Sequence, residues 1–469
     1  MTIPSWVFDS VFYQIFPDRF ANGDLSNDPS NKQAWGSPPD FVHFQGGDLA
    51  GIQQKLDYLS DLGVNAIYLN PIFLSPSTHR YNTVDYYKID PKLGTMRDFH
   101  SFLTAAHQKG MRVVLDGVFN HCGRGFFAFN DILENDGDSP YYDWFHIQRF
   151  PLQAYSSGKA TNYTAWWGFK SLPKFNTDHP PVRQYLLDVG RYWIEQGIDG
   201  WRLDVPNEIN DDAFWADFRY TIRSANPEAY LIGEIWEVDP RWVGDEHFDG
   251  LMNYPVRKAI LELLNGERDG SGFAADIAAI LKAYPYENIL AMYSLLGSHD
   301  VERIRTRLGG SIEKTRLAHT ILFGLPGVPA IYYGDEVGVE GGRDPDCRRA
   351  FPWNEKVWQR GLQEHIRQLV QIRKAYPALR RGQISFPAAD QISGGIAWVR
   401  MLKSSQTALA AVNPTGSASL LTLKDVPGVP VEGDFPNLLD DTRPARCDNG
   451  VLTVPLGPWG GGIYVLPGD

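Results

Sequence analysis

The stretch Gly197-Ile-Asp-Gly-Trp-Arg-Leu-Asp204 decides the fold prediction, because a short apolar run ends there in an acidic residue. Two other stretches have the same form, Tyr230-Leu-Ile-Gly-Glu234 and Leu296-Gly-Ser-His-Asp300. Carboxylates that directly follow short buried strands are typical of an α/β barrel, which carries its chemistry at the carboxyl ends of its strands. We therefore expect Asp204, Glu234 and Asp300 to meet at one rim of such a barrel.

Strand-like runs alternate with amphipathic helical patterns along most of the chain. The predicted strands lie near residue 12 and at 66–70, 112–116, 200–204, 230–233, 248–252, 291–296 and 330–334. Alternation at this period predicts parallel βαβ units, and eight such units close a (β/α)8 TIM barrel.

Two segments depart from this alternation. The segment 122–177 after the third strand is rich in aromatic residues, Gly and Asn, and loops this long in a compact domain are usually functional. Its Trp166-Trp-Gly-Phe169 is a candidate wall of a cleft. From residue 381 onward, alternating strands are separated by Gly/Pro turns. The prediction is a barrel over 1–121 and 178–380, an inserted domain B over 122–177 and an antiparallel β domain C over 381–469.

Charge and composition narrow the class of protein. The formal net charge is −12, which disfavours nonspecific attraction to nucleic acid or to an anionic membrane. No apolar run reaches the ~18 residues that a membrane span needs, and the first residues show no leader pattern. Three cysteines predict neither a disulfide framework nor a CxxC metal site. A cytoplasmic enzyme that acts on a neutral ligand is the expectation.

The acids at the predicted rim are expected to have different roles in catalysis. Arg202 and Asp204 share a strand face, because side chains alternate, and a guanidinium favours the ionised form that a nucleophile needs. Glu234 must instead hold a proton to act as a general acid, and Trp236 supplies apolar surface beside it. Glycoside cleavage needs two carboxyl groups that flank one bond. The alternative is a structural ion pair between Arg202 and Asp204.

Four segments of the chain resemble the α-amylase family of glycoside hydrolases, in the order of that family: Asp116-Gly-Val-Phe-Asn-His121, Gly200-Trp-Arg-Leu-Asp-Val-Pro-Asn-Glu208, Gly233-Glu-Ile-Trp236 and Gly297-Ser-His-Asp300. The resemblance implies that Asp204 is the nucleophile, Glu234 the general acid/base and Asp300 the stabiliser of the transition state, with retention of configuration. It also implies a substrate-binding set made of Tyr81, His79, His121, Arg202, His299, Trp236, Asn207, Glu208, Asp344 and Arg348. A loop ion pair is the alternative for the last two.

Within the family, Ser171-Leu-Pro-Lys-Phe-Asn176 and Val205-Pro-Asn-Glu208 resemble the neopullulanase, cyclomaltodextrinase and maltogenic amylase group. In that group Asn-Glu, in place of Lys-His, accompanies cleavage of α-1,6 as well as α-1,4 bonds. The resemblance therefore implies hydrolysis of short or cyclic maltooligosaccharides.

Two departures from that group limit the inference. The group's β-sandwich ahead of the barrel is not expected here, since the first strand begins near residue 12, and Glu237 stands where the group commonly has histidine. A hydrolase specialised on cyclic maltosyl-maltose is one hypothesis, and a homodimer stays open. A transglycosylase or a trehalose- or sucrose-converting enzyme is the nearest alternative. A non-enzymatic sugar-binding protein would need a broken acid triple.

Oxygen-bearing side chains are dense in Asn22-Gly-Asp-Leu-Ser-Asn-Asp28 and in Gly46-Gly-Asp48. Such density suits calcium, whose preferred ligands are oxygens. The resemblance implies a structural Ca²⁺ held by Asn22, Asp24, Asn27, Asp28, the Gly46 carbonyl and Asp48. An Asx-rich turn without an ion is the alternative.

Overall fold

The computed structural model describes residues 2–387, 394–402 and 406–467. Residue 1, and within the predicted domain C residues 388–393, 403–405 and 468–469, lie outside the described residues.

Eight parallel strands form the central sheet. They are β1 (Phe12–Ile15), β2 (Ala66–Leu69), β3 (Arg112–Gly117), β4 (Gly200–Leu203), β5 (Tyr230–Gly233), β6 (Gly250–Leu251), β7 (Tyr293–Leu295) and β8 (Val328–Tyr332). Neighbours pair in the order β6-β5-β4-β3-β2-β1-β8-β7. A parallel bridge between Met252 and Tyr293 joins the two ends of this sheet, so the ring closes. The predicted TIM barrel and its eight strands are confirmed.

Helices surround the barrel and connect its strands. They span Ser5–Phe8, Pro17–Phe20, Leu49–Gln54, Leu56–Leu62, Met96–Gln108, Phe127–Asn135, Pro180–Glu195, Asp212–Ala225, Tyr254–Leu264, Gly270–Ala283, Tyr286–Leu290, Ile304–Arg307, Ile312–Gly324, Arg360–Ala375 and Pro377–Arg381. The start of one of them follows directly from the sequence, because Thr95 and Asp98 form a capping box before Met96–Gln108. Within the described ranges, no helix has the length and apolar character to cross a bilayer.

The segment after β3 folds back onto the barrel rim. It contains the helix Phe127–Asn135 and is otherwise tied together by isolated antiparallel bridges, among them Ala165 with Pro173. A further bridge pairs His121, just after β3, with Lys174 near the end of the segment. This return holds the aromatic stretch that begins at Trp166 close to the rim.

The C-terminal part forms two four-stranded antiparallel sheets, as the sequence predicts. The strands are β9 (Gln383–Ser385), β10 (Ile396–Leu402), β11 (Gln406–Val412), β12 (Ser419–Lys424), β13 (Gly433–Phe435), β14 (Ala445–Asp448), β15 (Val451–Leu456) and β16 (Gly461–Pro467). The first sheet runs β9-β10-β11-β16 and the second β12-β15-β14-β13. The buried Trp398 donates its indole N–H to the Gly324 carbonyl and so joins the first sheet to the barrel. The exact domain boundaries stay predictions.

Candidate active site

Arg202 is the centre of a cluster of carboxylates at the carboxyl ends of β3, β4 and β5. Its Nη1 lies 2.8 Å from Asp116 Oδ1 and 3.0 Å from Asp204 Oδ1, while its Nη2 lies 2.9 Å from Glu234 Oε1. Its Nε faces Met252 Sδ at 3.4 Å. The guanidinium is fully buried, so the barrel places one desolvated cation among three acids from neighbouring strands.

Burial controls the protonation of the two predicted reacting acids. Desolvation raises the pKa of Glu234 and Arg202 opposes it, as expected for a general acid. The ion pair expected for Asp204 is present, but the expected net effect is wrong. Burial raises the pKa of Asp204 well above its usual value, because one guanidinium shared with Asp116 and Glu234 does not compensate for desolvation and for the neighbouring acids. Burial therefore favours the protonated form of both acids.

Glu234 is oriented by the backbone of the next strand end. Its Oε2 accepts a hydrogen bond from the Val205 N–H at 3.0 Å. Val205 has φ 37° and ψ 52°, a left-handed conformation that a β-branched residue rarely adopts. This turn directly after Asp204 aims the amide at the acid of β5.

Asp300 faces the same cleft and keeps 28% of its side-chain surface exposed. Burial, then the Glu234 charge, raises its pKa to about 7, and Arg348 opposes the shift. Arg348 Nη2 lies 3.4 Å from Asp300 Oδ1, and its Nη1 lies 2.9 Å from Asp344 Oδ1. Asp344 and Arg348 thus form the ion pair that was the alternative to substrate binding, and Arg348 also contacts the third acid.

His299 is held by two amides that the sequence interpretation missed. Its Nδ1 lies 3.0 Å from Gln14 Nε2 and 3.1 Å from Asn70 Nδ2. Because two N–H groups face Nδ1, the proton of the neutral ring sits on Nε2. Nε2 lies 2.5 Å from the Tyr81 hydroxyl and 3.1 Å from Asp300 Oδ2. Asn70 directly follows β2, so the strand-end pattern that revealed the acids also marks it.

The remaining predicted rings lie at the same rim. Tyr81 donates to Asp116 Oδ2 at 2.7 Å and stacks on His299 with 5.3 Å between ring centroids. His79 accepts the Tyr81 backbone N–H, and burial lowers its pKa to about 3. Burial likewise lowers the pKa of His121 to about 3. Both histidines are therefore neutral near neutral pH.

Trp236 stacks on Tyr254, a second residue that the sequence interpretation missed. Their ring centroids are 3.9 Å apart and their planes differ by 5°. Trp236 keeps 44% of its surface exposed, so its other face is open to solvent. Tyr254 belongs to the helix Tyr254–Leu264 after β6 and has no motif of its own in the sequence.

Asn207 and Glu208 lie in a short 3-10 turn, Pro206–Glu208, after the predicted nucleophile. Lys174 of the inserted segment donates to the Glu208 carbonyl at 2.7 Å and lies 3.6 Å from its carboxylate. Lys174 belongs to the stretch 171–176 and Glu208 to the stretch 205–208. The two stretches that resemble the neopullulanase group therefore contact each other. Asn207 is exposed.

Two of the predicted calcium ligands, Asp24 and Asn27, contact Asp48, the first through its backbone N–H. The Asp48 carboxylate accepts from the backbone N–H groups of Gly23, Asp24 and Gly51 and from Asn27 Nδ2. Asn22 donates to Asp28 Oδ1 at 2.7 Å, and Lys32 pairs with Asp28. Within the described ranges no group of three or more His, Cys, Asp or Glu has metal-binding geometry.

A cavity of about 230 Å³ lies away from these acids, between the helix Ile312–Gly324 and domain C. Its lining includes His365, Asn437 and Trp459, and none of the rim acids. The predicted chemistry therefore belongs to the open cleft at the barrel rim.

A closed (β/α)8 barrel that holds carboxyl groups from two strand ends around one arginine fits the class of barrel glycosidases. Residues 14–376 match the family model described as alpha amylase, catalytic domain. The chain is 42% identical over 467 residues to a cyclomaltodextrinase of Geobacillus thermopakistaniensis (strain MAS1), which covers 99% of this chain and 78% of that protein. It is 43% identical over 416 residues to neopullulanase 2 of Thermoactinomyces vulgaris, covering 88% of this chain and 70% of that protein.

Among solved structures, the cyclic α-maltosyl-(1→6)-maltose hydrolase from Arthrobacter globiformis, in complex with its cyclic ligand, aligns with a TM-score of 0.90. It is 41% identical and covers 99% of this chain and 100% of that chain. The chain belongs to the α-amylase family. It is an α-glucan glycoside hydrolase, and its substrate class is carbohydrate.

Proposed function

We propose that this chain hydrolyses α-1,4 and α-1,6 glucosidic bonds in short or cyclic maltooligosaccharides. One observation carries the proposal: the guanidinium of Arg202 contacts both Asp204 and Glu234, which places carboxyl groups from two strand ends at one cleft. Retaining cleavage requires two carboxyl groups beside the same bond.

In the proposed reaction Asp204 attacks the anomeric carbon while Glu234 protonates the leaving oxygen. The raised pKa of Glu234 suits this first step, because the acid then holds its proton near neutral pH. Glu234 then acts as a base and takes a proton from a water molecule. The oxygen of that water attacks the anomeric carbon and releases Asp204 as a carboxylate. Asp300, supported by Arg348 and His299, holds the sugar as its ring becomes cationic. Two inversions give net retention.

The neutral histidines are proposed to bind sugar hydroxyls. His299 has its proton on Nε2, which faces the cleft side of the network at Tyr81 and Asp300. His121 is buried at the same rim, and its ring is proposed to bind a sugar oxygen. Tyr81, His79, Arg202, Trp236, Asn207, Glu208, Asp344 and Arg348 complete the proposed substrate-binding set.

We propose cyclic maltosyl-maltose as the preferred substrate to test first. The similarity to the Arthrobacter hydrolase over 99% of this chain supports this choice, and the cyclomaltodextrinase and neopullulanase relatives support α-1,4 rings and pullulan as comparisons. The preferred substrate is identified by initial rates on maltotetraose, pullulan, a cyclodextrin and the mixed-linkage ring. A clear preference for the mixed-linkage ring supports specialisation, and near-equal rates refute it.

Product analysis tests the reaction type. Proton NMR of the first products is expected to show the α-anomer, and a first product with the β-anomer would contradict double displacement. Chromatography at high maltotetraose concentration separates hydrolysis from transfer. Shorter products alone support the hydrolase, whereas products longer than the substrate support the transglycosylase alternative.

We also propose a structural calcium ion at the Asp48 cluster. The side-chain oxygens of Asn22 and Asn27 are buried and have no hydrogen-bond partner among the described residues, and amide oxygens are good calcium ligands. Asp24, Asp28, the Gly46 carbonyl and Asp48 would complete the ligand set. The ion would fix the loop and takes no part in the chemistry.

A cytoplasmic location is proposed on a separate observation. Cys122, Cys347 and Cys447 are all buried and free, as is usual in a reducing compartment. Cell fractionation with an antibody to the protein tests this proposal. A homodimer is tested by light scattering of the purified chain.

A further inference from the structure

A second cavity lies where the barrel meets domain C, away from the rim acids. It has a volume of about 230 Å³ and is lined mainly by three segments: the helix Ile312–Gly324, the loop between β13 and β14, and the turn between β15 and β16. None of the acids, histidines or aromatic rings proposed above for the sugar site lines this cavity. The proposed reaction therefore leaves it without a function.

The floor of the cavity holds an amide with unused donors. Asn437 lines the cavity and is only 4% exposed. Its Oδ1 accepts the backbone N–H groups of Leu439 at 3.0 Å and of Ile463 at 3.3 Å, which fixes the orientation of the side chain. Among the described residues, the hydrogen bonds of this amide involve Oδ1 alone, so the two donors of Nδ2 remain for a ligand oxygen.

Charges of both signs form the rim of the cavity. Arg443 Nε lies 3.4 Å from Asp440 Oδ2, while Glu313 and Arg316 lie one turn apart on the helix Ile312–Gly324. Because two guanidinium groups are matched by two carboxylates, the rim favours a neutral ligand over an anion. Hydroxyl groups suit such a rim, since each can donate to a carboxylate and accept from a guanidinium.

An aromatic ring forms part of the cavity wall at a conformational cost. Trp459 has φ 49°, a left-handed conformation that favours glycine. Its N–H donates to the Thr415 carbonyl at 2.8 Å, and the N–H of the following Gly460 donates to the Gly457 carbonyl at 3.0 Å. Lys314 Nζ lies 4.4 Å from the ring centroid. These contacts hold Trp459 in place, and strained positions of this kind concentrate at ligand sites.

We propose that this cavity binds one glucosyl unit, at a site separate from the cleft where bonds are cleaved. A ring surrounded by donors and acceptors suits a pyranose, which carries both apolar C–H groups and hydroxyl groups. The volume lies below the roughly 300 Å³ at which pockets for drug-sized ligands begin, so a single sugar ring fits better than an oligomer. The unit is either a free sugar or the end of a glucan chain. The site goes beyond the proposed function, because it takes no part in hydrolysis.

The indole N–H signals of isotope-labelled protein report on this cavity and on the cleft separately. In the Glu234→Gln background, which prevents turnover, glucose is added and the signals of Trp459 and Trp236 are followed by NMR. Trp459→Phe and Trp236→Phe assign the two signals. A saturable shift of the Trp459 signal is expected with glucose. A saturable shift with inorganic phosphate instead of glucose would show an anion site and overturn the proposal.

Maltohexaose distinguishes the two sources of the glucosyl unit. If the cavity takes the end of a glucan chain, maltohexaose shifts the Trp459 signal as glucose does. If the cavity takes only a free sugar, maltohexaose shifts the Trp236 signal of the cleft and leaves the Trp459 signal unchanged. Either result supports a glucosyl site.

Two substitutions test the contacts. Asn437→Asp keeps the Oδ1 acceptor but removes the Nδ2 donors, so the Kd for glucose read from the Trp459 signal should rise about tenfold. Arg316→Ala removes a donor at an exposed helix position, leaves the fold unaffected and should give a similar rise. Arg97→Ala, at an exposed position of the helix Met96–Gln108, is the matched control.

The inference and the proposed reaction can fail independently. No saturable shift of the Trp459 signal in the parent protein, or an unchanged Kd in both Asn437→Asp and Arg316→Ala, would overturn the glucosyl site. Neither result would bear on Glu234 as the acid, which full activity of Glu234→Gln alone would refute.

Discussion

Arg202 Nη2 lies 2.9 Å from Glu234 Oε1, so the predicted acid/base is paired with a cation that also contacts the predicted nucleophile. The cation lowers the pKa of both acids, while burial raises it. We therefore expect the pH range of activity to depend on the balance between the Arg202 charge and the burial of the two acids.

Replacing Arg202 by Met tests this balance. Without the cation the pKa of both Asp204 and Glu234 rises, so both limbs of the kcat/KM profile should move to higher pH. The rate at the optimum should fall about 10²- to 10³-fold. The profile is measured with an activated aryl maltoside. Arg202→Lys keeps the charge and should move the limbs less, whereas a shift to lower pH would contradict the account.

Gln14 is expected to act through His299. Gln14→Leu keeps the volume of a fully buried side chain but removes one N–H group that faces His299 Nδ1. The imidazole then loses its fixed orientation, and kcat/KM should fall about 10- to 100-fold. Steady-state kinetics check this, with melting curves to verify folding. Gln54→Leu, at an exposed position, is the control, and wild-type activity of Gln14→Leu would count against the network.

The carboxyl group of Asp300 should make the folded protein less stable as the pH rises. Folding raises its pKa from 3.8 to about 7, so the native state binds this proton more tightly than the unfolded chain. Stability from this group is present below its unfolded pKa and is lost as the pH rises towards about 7. Asp300→Asn removes the effect.

The Tm of Asp300→Asn relative to wild type should therefore increase by about 1–2 °C between acidic and neutral pH, while activity falls. Scanning fluorimetry across this range measures the difference. Asp434→Asn, at a side chain 70% exposed in domain C, is the matched control. A constant difference for Asp300→Asn would show that its carboxyl group titrates normally.

Calcium removal should destabilise the fold without altering the reacting groups. Excess chelator is expected to lower the Tm, because an ion bound only to the native state stabilises it, and added Ca²⁺ should restore it. Asn27→Ala should reduce the response, since its buried amide oxygen is one of the two without a partner. If the chelator does not change the Tm of the wild type, the calcium proposal fails.

The sequence predicts the barrel well, because each strand has a local sequence pattern and the pattern recurs along the chain. Each strand is a short apolar run, and Asp204, Glu234 and Asp300 mark strand ends that must share one rim. Asn70 also directly follows a strand, so the same rule could have identified it. Alternation and turns also predicted the antiparallel β character of domain C.

Other features depend on contacts between distant segments. Tyr254 carries no motif, and its role appears only when the helix after β6 lies against Trp236. Gln14 lies on β1, where nothing local shows that it faces His299 across the barrel. The raised pKa of Asp204 depends on how many acids share Arg202 and on how little water reaches them, and no spacing in the sequence reports either quantity.

The central claim is that Asp204 carries the sugar during the reaction. A 5-fluoro-α-glucosyl fluoride forms a slowly hydrolysed ester with the nucleophile of a retaining enzyme, and mass spectrometry of the digested protein locates it. One added fluoroglucosyl group is expected on the peptide that contains Asp204, and none in the Asp204→Asn variant. Labelling of Glu234 or Asp300 instead, or fluoride release by Asp204→Asn at the wild-type rate, would contradict this claim.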